Sequence, residues 1–273
     1  MEDIEPREFY TLNNAEAQQT YVSVRRAKDW VGFFLPYLKP GLSVLDCGCG
    51  VGSITLDIAE LVAPGQVIGV DMDEKQLQIA RANAEARGLT NVSFEQGDVY
   101  QLRFDSSSFD AALAHTLLYH LSDPLSAIKE LRRVLKPNGI VAVSDDDMNT
   151  ITVSPDEAIP QKLVDLMKRV ITFNGGSPFY SRNLRGLLLQ AGFKRTEGFA
   201  VAADHYGKLE ETRRMAYVMR QQLGDPMLLN LVTSQGWATK EEIEEIIAWI
   251  KEWGERPDAF MAVMYCAALG WNE

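Results

Sequence analysis

Residues 42–53 read Leu-Ser-Val-Leu-Asp-Cys-Gly-Cys-Gly-Val-Gly-Ser. An apolar run ends in three glycines at alternate positions, Gly48, Gly50 and Gly52. An amphipathic stretch follows at once, with Ile54, Ile58, Leu61 and Val62 on one helical face. Few folds can use such a sequence. The chain must leave a strand, turn tightly and enter a helix, and small residues let the backbone turn there and approach a ligand closely. The helix presents unpaired N–H groups at the same place. In an open parallel sheet this turn lies beyond the carboxyl ends of the strands, where ligands bind.

The segments downstream repeat the alternation. QVIGVD (66–71) has the pattern of a buried strand, and Asp73 with Gln76 has capping-box spacing for a helix that runs to about Arg87 and closes at Gly88. Strands are predicted near 91–95, over 109–115 and over 140–145. The helix between the last two starts at Ser122–Asp123–Pro124 and buries Leu125, Ile128, Leu131 and Leu135. Helical crossovers between strands give a parallel sheet of right-handed connection. Further helices are expected over about 14–35, 156–173, 181–191 and most of 208–256, where Thr239 and Glu242 form a capping box. FAVAADHY (199–206) and residues 259–270 are the last strands, expected to lie side by side with the final one antiparallel.

Composition narrows the function. The chain has 273 residues, 27 Lys plus Arg against 38 Asp plus Glu, and a formal charge of −11. A hydrophobic share of 46% supports a large core and excludes global disorder. The acidic balance argues against a nucleic-acid partner. Cys47, Cys49 and Cys266 cannot make a disulfide framework, and His115, His120 and His205 are too scattered for a metal site, so no metal is expected. The start, MEDIEPREFY, is unlike a signal peptide, and no apolar stretch long enough to span a bilayer occurs. The expected compartment is therefore the cytoplasm, with the chain a monomer or homodimer.

The glycine spacing departs from the dinucleotide fingerprint G-x-G-x-x-G, which disfavours a dehydrogenase. G-x-G-x-G with Asp46 two residues ahead of Gly48 instead resembles motif I of class I S-adenosylmethionine-dependent methyltransferases. Asp71 at the end of the second strand, Gly97–Asp98–Val99 after the third, His115 at the end of the fourth, and LKPNGIVAVSD (135–145) extend the likeness. It is strong over about 40–145 and points to the small-molecule branch that includes quinone-biosynthesis and natural-product methyltransferases, with no residue choosing within it. The resemblance implies a Rossmann-like α/β fold, a doubly wound seven-stranded sheet of order 3-2-1-4-5-7-6 with strand 7 antiparallel. The cofactor implied is S-adenosyl-L-methionine, leaving S-adenosyl-L-homocysteine as product. Cofactor-binding residues implied are Tyr21, Asp46, Gly48, Gly50, Gly52, Asp71, Met72, Gln76, Asp98, Val99 and His115.

Methyl transfer from a sulfonium is an in-line displacement with a good neutral leaving group, so alignment is the main requirement. Where the acceptor must lose a proton, a base is needed, and His115 and then His120 are the candidates. Residues 1–35 are expected to form a helical cap segment ahead of a domain at 36–273, with cap insertions at about 148–180 and 208–256. Together these are expected to cover the strand ends and enclose an apolar chamber for a small-molecule substrate. Tyr10, Asp145, Asn174, Phe179, Tyr180 and His205 are candidate wall residues. No Asn-Pro-Pro-Tyr-like motif for amide-nitrogen methylation follows the fourth strand. The acceptor stays open among O, N and C nucleophiles. Two other functions share the scaffold: a non-methylating biosynthetic enzyme of pericyclase or decarboxylase type, and a binding protein that retains the cofactor.

Overall fold

Alternate residues of the central strands face two separate cores, one on each side of a single sheet. The computed structural model describes the backbone of residues 15–273 and the side chains from residue 19 on. The strands are β1 (Val44–Cys47), β2 (Val67–Asp71), β3 (Val92–Gln96), β4 (Phe109–His115), β5 (Leu135–Asp146), β6 (Thr152–Ser154), β7 (Arg195–Tyr206) and β8 (Phe260–Trp271). The helices are α1 (Ala15–Val22), α2 (Ala27–Trp30), α3 (Ser53–Val62), α4 (Glu74–Ala86), α5 (Pro124–Val134), α6 (Ala158–Phe173), α7 (Leu184–Gln190), α8 (Leu209–Leu223), α9 (Pro226–Ser234) and α10 (Lys240–Trp253).

Strand order is β3-β2-β1-β4-β5-β8, with β7 and the short β6 also paired to β8. The first five strands are parallel, and β8 is antiparallel to all three of its neighbours. With β7 and β8 as the sixth and seventh strands, the expected order 3-2-1-4-5-7-6 is present. The sheet differs by one extra strand: β6 pairs with the Phe260–Ala262 end of β8, beyond the point where β5 has left it.

Leu45, Cys47, Ala112, Ala114, Val141 and Val143 point to the core under α5 and α7. Val44, Ala111, Leu113, Ile140 and Ala142 point to the core under α2 and α3. Central parallel strands covered on both faces need apolar residues at every position, so Asp46 in the fully buried β1 is an exception with a cause to be found.

The continuous helix expected over 14–35 is broken. Chain between α1 and α2 is non-helical, with Arg26 extended, and this break turns Arg25 inward, where it is 4% exposed. Residues after Arg26 do not join a cap: Ala27, Trp30, Val31 and Phe34 pack into the sheet's own core. The helix expected from Ser181 starts at Leu184, preceded by a 3-10 turn over Tyr180–Asn183. The capping boxes fare differently. Thr239 and Glu242 cap α10 reciprocally, whereas Asp73 caps α4 through the Lys75 amide.

The remaining helices form a third core with Tyr206, Leu163, Met215, Met219, Ile246 and Trp253 at its centre. The isoleucine stripe Ile243, Ile246 and Ile250 of α10 lies in that packing. No helix among the described residues is long and apolar enough to cross a membrane, and no group of three or more His, Cys, Asp or Glu among them is placed to hold a metal ion.

Candidate active site

The glycine turn forms the floor of a cleft of about 470 Å³ at the carboxyl ends of β1, β2 and β4. That volume falls in the ~300–1,000 Å³ range of small-molecule sites. Gly48, Gly50 and Gly52 all have positive φ, at 73°, 53° and 76°. Only Gly adopts that backbone routinely. A Cβ on Gly50 would project into open space of the cleft, whereas one on Gly52 would lie 2.9 Å from Phe94 Cζ. The first glycine clears room for a ligand and the second permits α3 to pack.

Two acids explain themselves by their partners. Asp46, on the α3 side of β1, accepts from Thr55 Oγ1 at 2.6 Å and lines the cleft. Burial pushes its pKa up to about 7, against the Thr55 hydrogen bond. Asp71 accepts from the Gly50 amide through Oδ2 and the Asp73 amide through Oδ1, both at 2.9 Å. Burial raises its pKa and those amides oppose the rise. Its carboxylate thus ties the glycine turn to the start of α4 and faces the cleft with lone pairs to spare. Met72, 65% exposed, Gln76, Asp98 and Val99 complete that end. The cleft offers groups that can hold an adenosyl amino acid: carboxylates able to accept from ribose hydroxyls and a purine amino group, apolar side chains beside them, and glycine backbone that a ligand can approach closely.

At the other end the cleft meets Arg25, His115 and Thr116. Arg25 stacks over the rings of Trp30 and Tyr21, at 4.3 and 4.6 Å. Its Nη1 donates to Thr116 Oγ1 at 3.0 Å and lies 3.4 Å from His115 Nε2. A guanidinium only donates, so His115 Nε2 is the acceptor and its proton belongs on Nδ1. Burial, helped by Arg25, pulls the His115 pKa well below the ordinary value, so the ring is neutral. It is stacked on Tyr265 at 5.5 Å. Thr116 has φ +56°. A β-branched residue in that region carries strain of order 1–3 kcal/mol, a cost seen where a site needs the geometry.

Thr116 also lines a second cavity of about 110 Å³, walled by α6, α8 and α10. Its surface is mostly apolar, with Met148, Met167, Met215, Met219 and Met261 among its side chains. Methionine is the most adaptable apolar side chain, so this wall can reshape around different contents. A smaller cavity between α6 and α8, reaching Leu166, Val170, Leu223 and Leu228, shares Leu163, Met167, Met219 and Gln222 with it. The polar groups in the chamber are few: Tyr21, Thr116, His120, Asp146, Asp204 and Gln222 foremost. Tyr21 Oη donates to Asp204 Oδ2 at 2.8 Å and Tyr206 Oη to Oδ1 at 2.5 Å. Asp204 is raised by burial and lowered by Arg25 and these two hydroxyls. Asp146 is raised to about 7 by burial and by the Asp204 charge.

His120 sits in the same wall, and burial pulls its pKa down to about 3. The folded protein keeps this ring neutral while the unfolded chain protonates near 6.5. Stability from this group is therefore lost progressively as pH falls from about 6.5 towards 3. His120→Asn is expected to flatten that acid slope, on the order of 2 kcal/mol in variant minus wild type between pH 7 and 4.5. Urea melts at both pH values read it, and parallel slopes would show that His120 is not the titrating group.

The predicted residues divide between the two cavities. Asp46, Gly48, Gly50, Asp71, Met72, Gln76, Asp98, Val99 and His115 line the cleft, and Gly52 stands just behind as the residue preceding α3. Tyr21, expected at the cofactor, lies in the chamber, and so does His120. Tyr10 lies outside the described residues. Asn174 and Tyr180 are not among the chamber's lining residues; Asn174 ends α6, and Tyr180 packs beside Leu184 and Met148. Phe179 is 39% exposed.

Two placements correct the sequence expectation by one residue each. Asp145 faces the α5 side with Val141 and Val143; the Leu117–Tyr119 amides offset part of its burial penalty, though none closes to full hydrogen-bond geometry. Strand alternation gives the chamber to Asp146 instead. His205 points outward, its Nδ1 3.0 Å from the Ala202 carbonyl, and Asp204 points in. Phe199, Val201 and Ala203 face the core, so continued alternation would bury His205. A bulge in the β7–β8 register between Val201 and Asp204 inverts the pattern. Sequence reasoning missed Arg25, Thr116, Asp146 and Asp204. Arg25 and Thr116 carry no sequence signal, since a helix break and a left-handed backbone place them.

The order of the sheet, the glycine turn and the strand-end acids define a nucleotide-binding α/β enzyme of the Rossmann-like class. A methyltransferase-domain family model matches residues 38–183. A probable methyltransferase, LtbC of Aspergillus luteorubrus, is 30% identical over 97% of this chain and 96% of its own. The demethylmenaquinone methyltransferase of Lactococcus lactis is 40% identical over 41% of this chain and 45% of its own. Among solved structures the cyclase SpnF superposes with TM-score 0.51 at 24% identity, covering 93% of this chain and 80% of that one, a likeness of fold alone. The chain belongs to the methyltransferase-domain family and is a class I S-adenosylmethionine-dependent methyltransferase.

Proposed function

We propose that the protein moves a methyl group from S-adenosylmethionine to a small, largely apolar acceptor held in the helix-walled chamber. The observation that carries this reading is Thr116, which belongs to the walls of both cavities. The activated methyl end of one ligand and the nucleophile of the other would meet there.

The cofactor, when bound, supplies a methyl on sulfonium that leaves as a neutral sulfide. In this reading Asp71 takes the ribose hydroxyls, Asp98 the purine amino group with Met72 and Val99 against the ring, and Asp46 the ammonium of the amino acid end. Backbone at Gly48 and Gly50 lets the chain approach. His115, held by Arg25 and Tyr265, shapes the floor near the reacting centre and excludes water rather than removing a proton, because its acceptor nitrogen is already engaged. The main catalytic contribution is alignment, with hydroxyl and carboxylate dipoles around the transferring carbon.

The chamber selects the substrate class. Its apolar, methionine-rich wall favours a nonpolar body, and the continuation between α6 and α8 gives room for an apolar extension. The quinone-class acceptor in the Lactococcus lactis relative's name agrees with this. A test is transfer of labelled methyl from S-adenosylmethionine to a panel of phenols and enols with growing alkyl substituents. Incorporation that improves with alkyl length is the expected result. Tight cofactor binding without transfer across the panel would favour a non-methylating enzyme on the same scaffold.

A further inference from the structure

Asp146 closes β5 on the face shared with Ile140 and Ala142, and projects into the chamber. Its Oδ1 is sealed from solvent and has no hydrogen-bond partner among the described residues. A buried carboxylate oxygen left unmatched is costly. Neighbouring Asp204 shows the contrast, with both oxygens taken by tyrosine hydroxyls. The chamber thus holds one acid with both oxygens taken by tyrosine hydroxyls and one with an oxygen left unmatched, in a wall otherwise mostly apolar.

We propose that Asp146 is the acceptor-binding base, receiving the hydrogen bond and then the proton of a hydroxyl on the substrate. The inference rests on the chamber being the acceptor site. The balance is simple. The substrate oxygen forms a bond to the methyl carbon, the carbon–sulfur bond breaks with its electron pair going to sulfur, and the O–H proton passes to the Asp146 carboxylate, which becomes the neutral acid. Sulfonium charge and carboxylate charge cancel in the products.

The surroundings suit that task. From β7, Asp204 disfavours ionisation of Asp146; from the break before α2, Arg25 favours it; Tyr21 of α1 and Tyr265 of β8 couple to the same charge, and Asp145 and Asp147 flank it in sequence. Burial is the largest influence and pushes the Asp146 pKa up; with these charges it comes to about 7, where a carboxyl group can both take up and release a proton. Arg25 offsets one of the two chamber acids, and the carboxylate left over is the one available to take a hydrogen bond and then a proton. A hydroxyl on an apolar body supplies both and matches the apolar wall.

Ligand binding to the cofactor-free protein tests this without catalysis. Phenol and toluene have similar shape and differ in the hydroxyl. Phenol is expected to bind wild type about tenfold more tightly than toluene at pH 8, by calorimetry or ligand-observed NMR. Asp146→Asn should reduce that ratio to about twofold or less while leaving toluene affinity unchanged. Asp146→Ala is the second variant, expected to do the same. Loss of phenol preference in the variants but not in wild type supports the assignment. An equal ratio in all three proteins overturns it while leaving the chamber as acceptor site. Failure of both ligands to bind anywhere in the chamber overturns the chamber reading itself. Preferential binding of benzylammonium over phenol, lost in Asp146→Asn, would overturn the hydroxyl class.

Discussion

Replacing Asp71 with alanine is expected to weaken S-adenosylmethionine binding by about a hundredfold, read by isothermal calorimetry. Two ribose hydroxyls donating to one carboxylate are charge-assisted bonds of ~1.5–3 kcal/mol each. Losing both removes at least ~3 kcal/mol, and ~1.4 kcal/mol is tenfold. The same carboxylate holds the Gly50 and Asp73 amides, so the substitution also frees the glycine turn from the start of α4. Asp71→Asn separates the two effects. An amide keeps the shape and one acceptor but offers an N–H where the protein already points donors, so it is expected to lose most of the affinity too. Affinity unchanged in both variants would remove Asp71 from the cofactor site and take the assignment of the cleft with it.

Gly52→Val is expected to cost roughly 2–5 kcal/mol of stability, from left-handed strain of ~1–2 kcal/mol and overpacking of ~1–3 kcal/mol. The numbers have a visible cause: φ is +76°, and a Cβ would stand 2.9 Å from Phe94 Cζ and 3.1 Å from Ala80 Cβ. Phe94 and Ala80 belong to the packed cluster between α4 and β3, which cannot yield without moving the helix. Gly50→Ala is the partner experiment. Its φ of +53° brings strain, yet nothing lies within 4 Å of the added carbon, which would stand in the cleft. It is expected to lower the melting temperature by only a few degrees, for a penalty of about 1 kcal/mol, and to cut cofactor affinity more than tenfold. Thermal melts with and without S-adenosylmethionine read both. A Gly52→Val protein as stable as wild type would show that α3 does not enter the sheet through this turn.

The sequence was most legible where local physics and tertiary need coincide. The glycines at 48, 50 and 52, the apolar β1 around Asp46, and Asp71 at a strand end are all consequences of a strand turning into a helix under a ligand. Those features survive any uncertainty over neighbouring elements. It was least legible where one residue of register decides a face. Asp145 and Asp146 are identical side chains in adjacent positions, and only pairing with β8 shows which one enters the chamber. Along β7 the sequence alternates cleanly to Ala203, and nothing in it announces the extra residue that turns His205 out and Asp204 in. Arg25 was hidden for a related reason. Its segment has helical composition, and the partners of the buried guanidinium, Thr116 after β4 and the rings of Tyr21 and Trp30, come together only in the folded chain. The short β6 was missed because three residues paired to the end of β8 carry too little pattern to register.

The two cavities touch at Thr116 and otherwise have different linings: the glycine turn, strand-end acids and exposed Met72 around one, side chains of α6, α8 and α10 around the other. With a nucleoside in the first and an acceptor in the second, as proposed, exchange of the nucleoside would not require α6 or α8 to move. An acceptor with two reactive positions would then be able to stay seated for a second round.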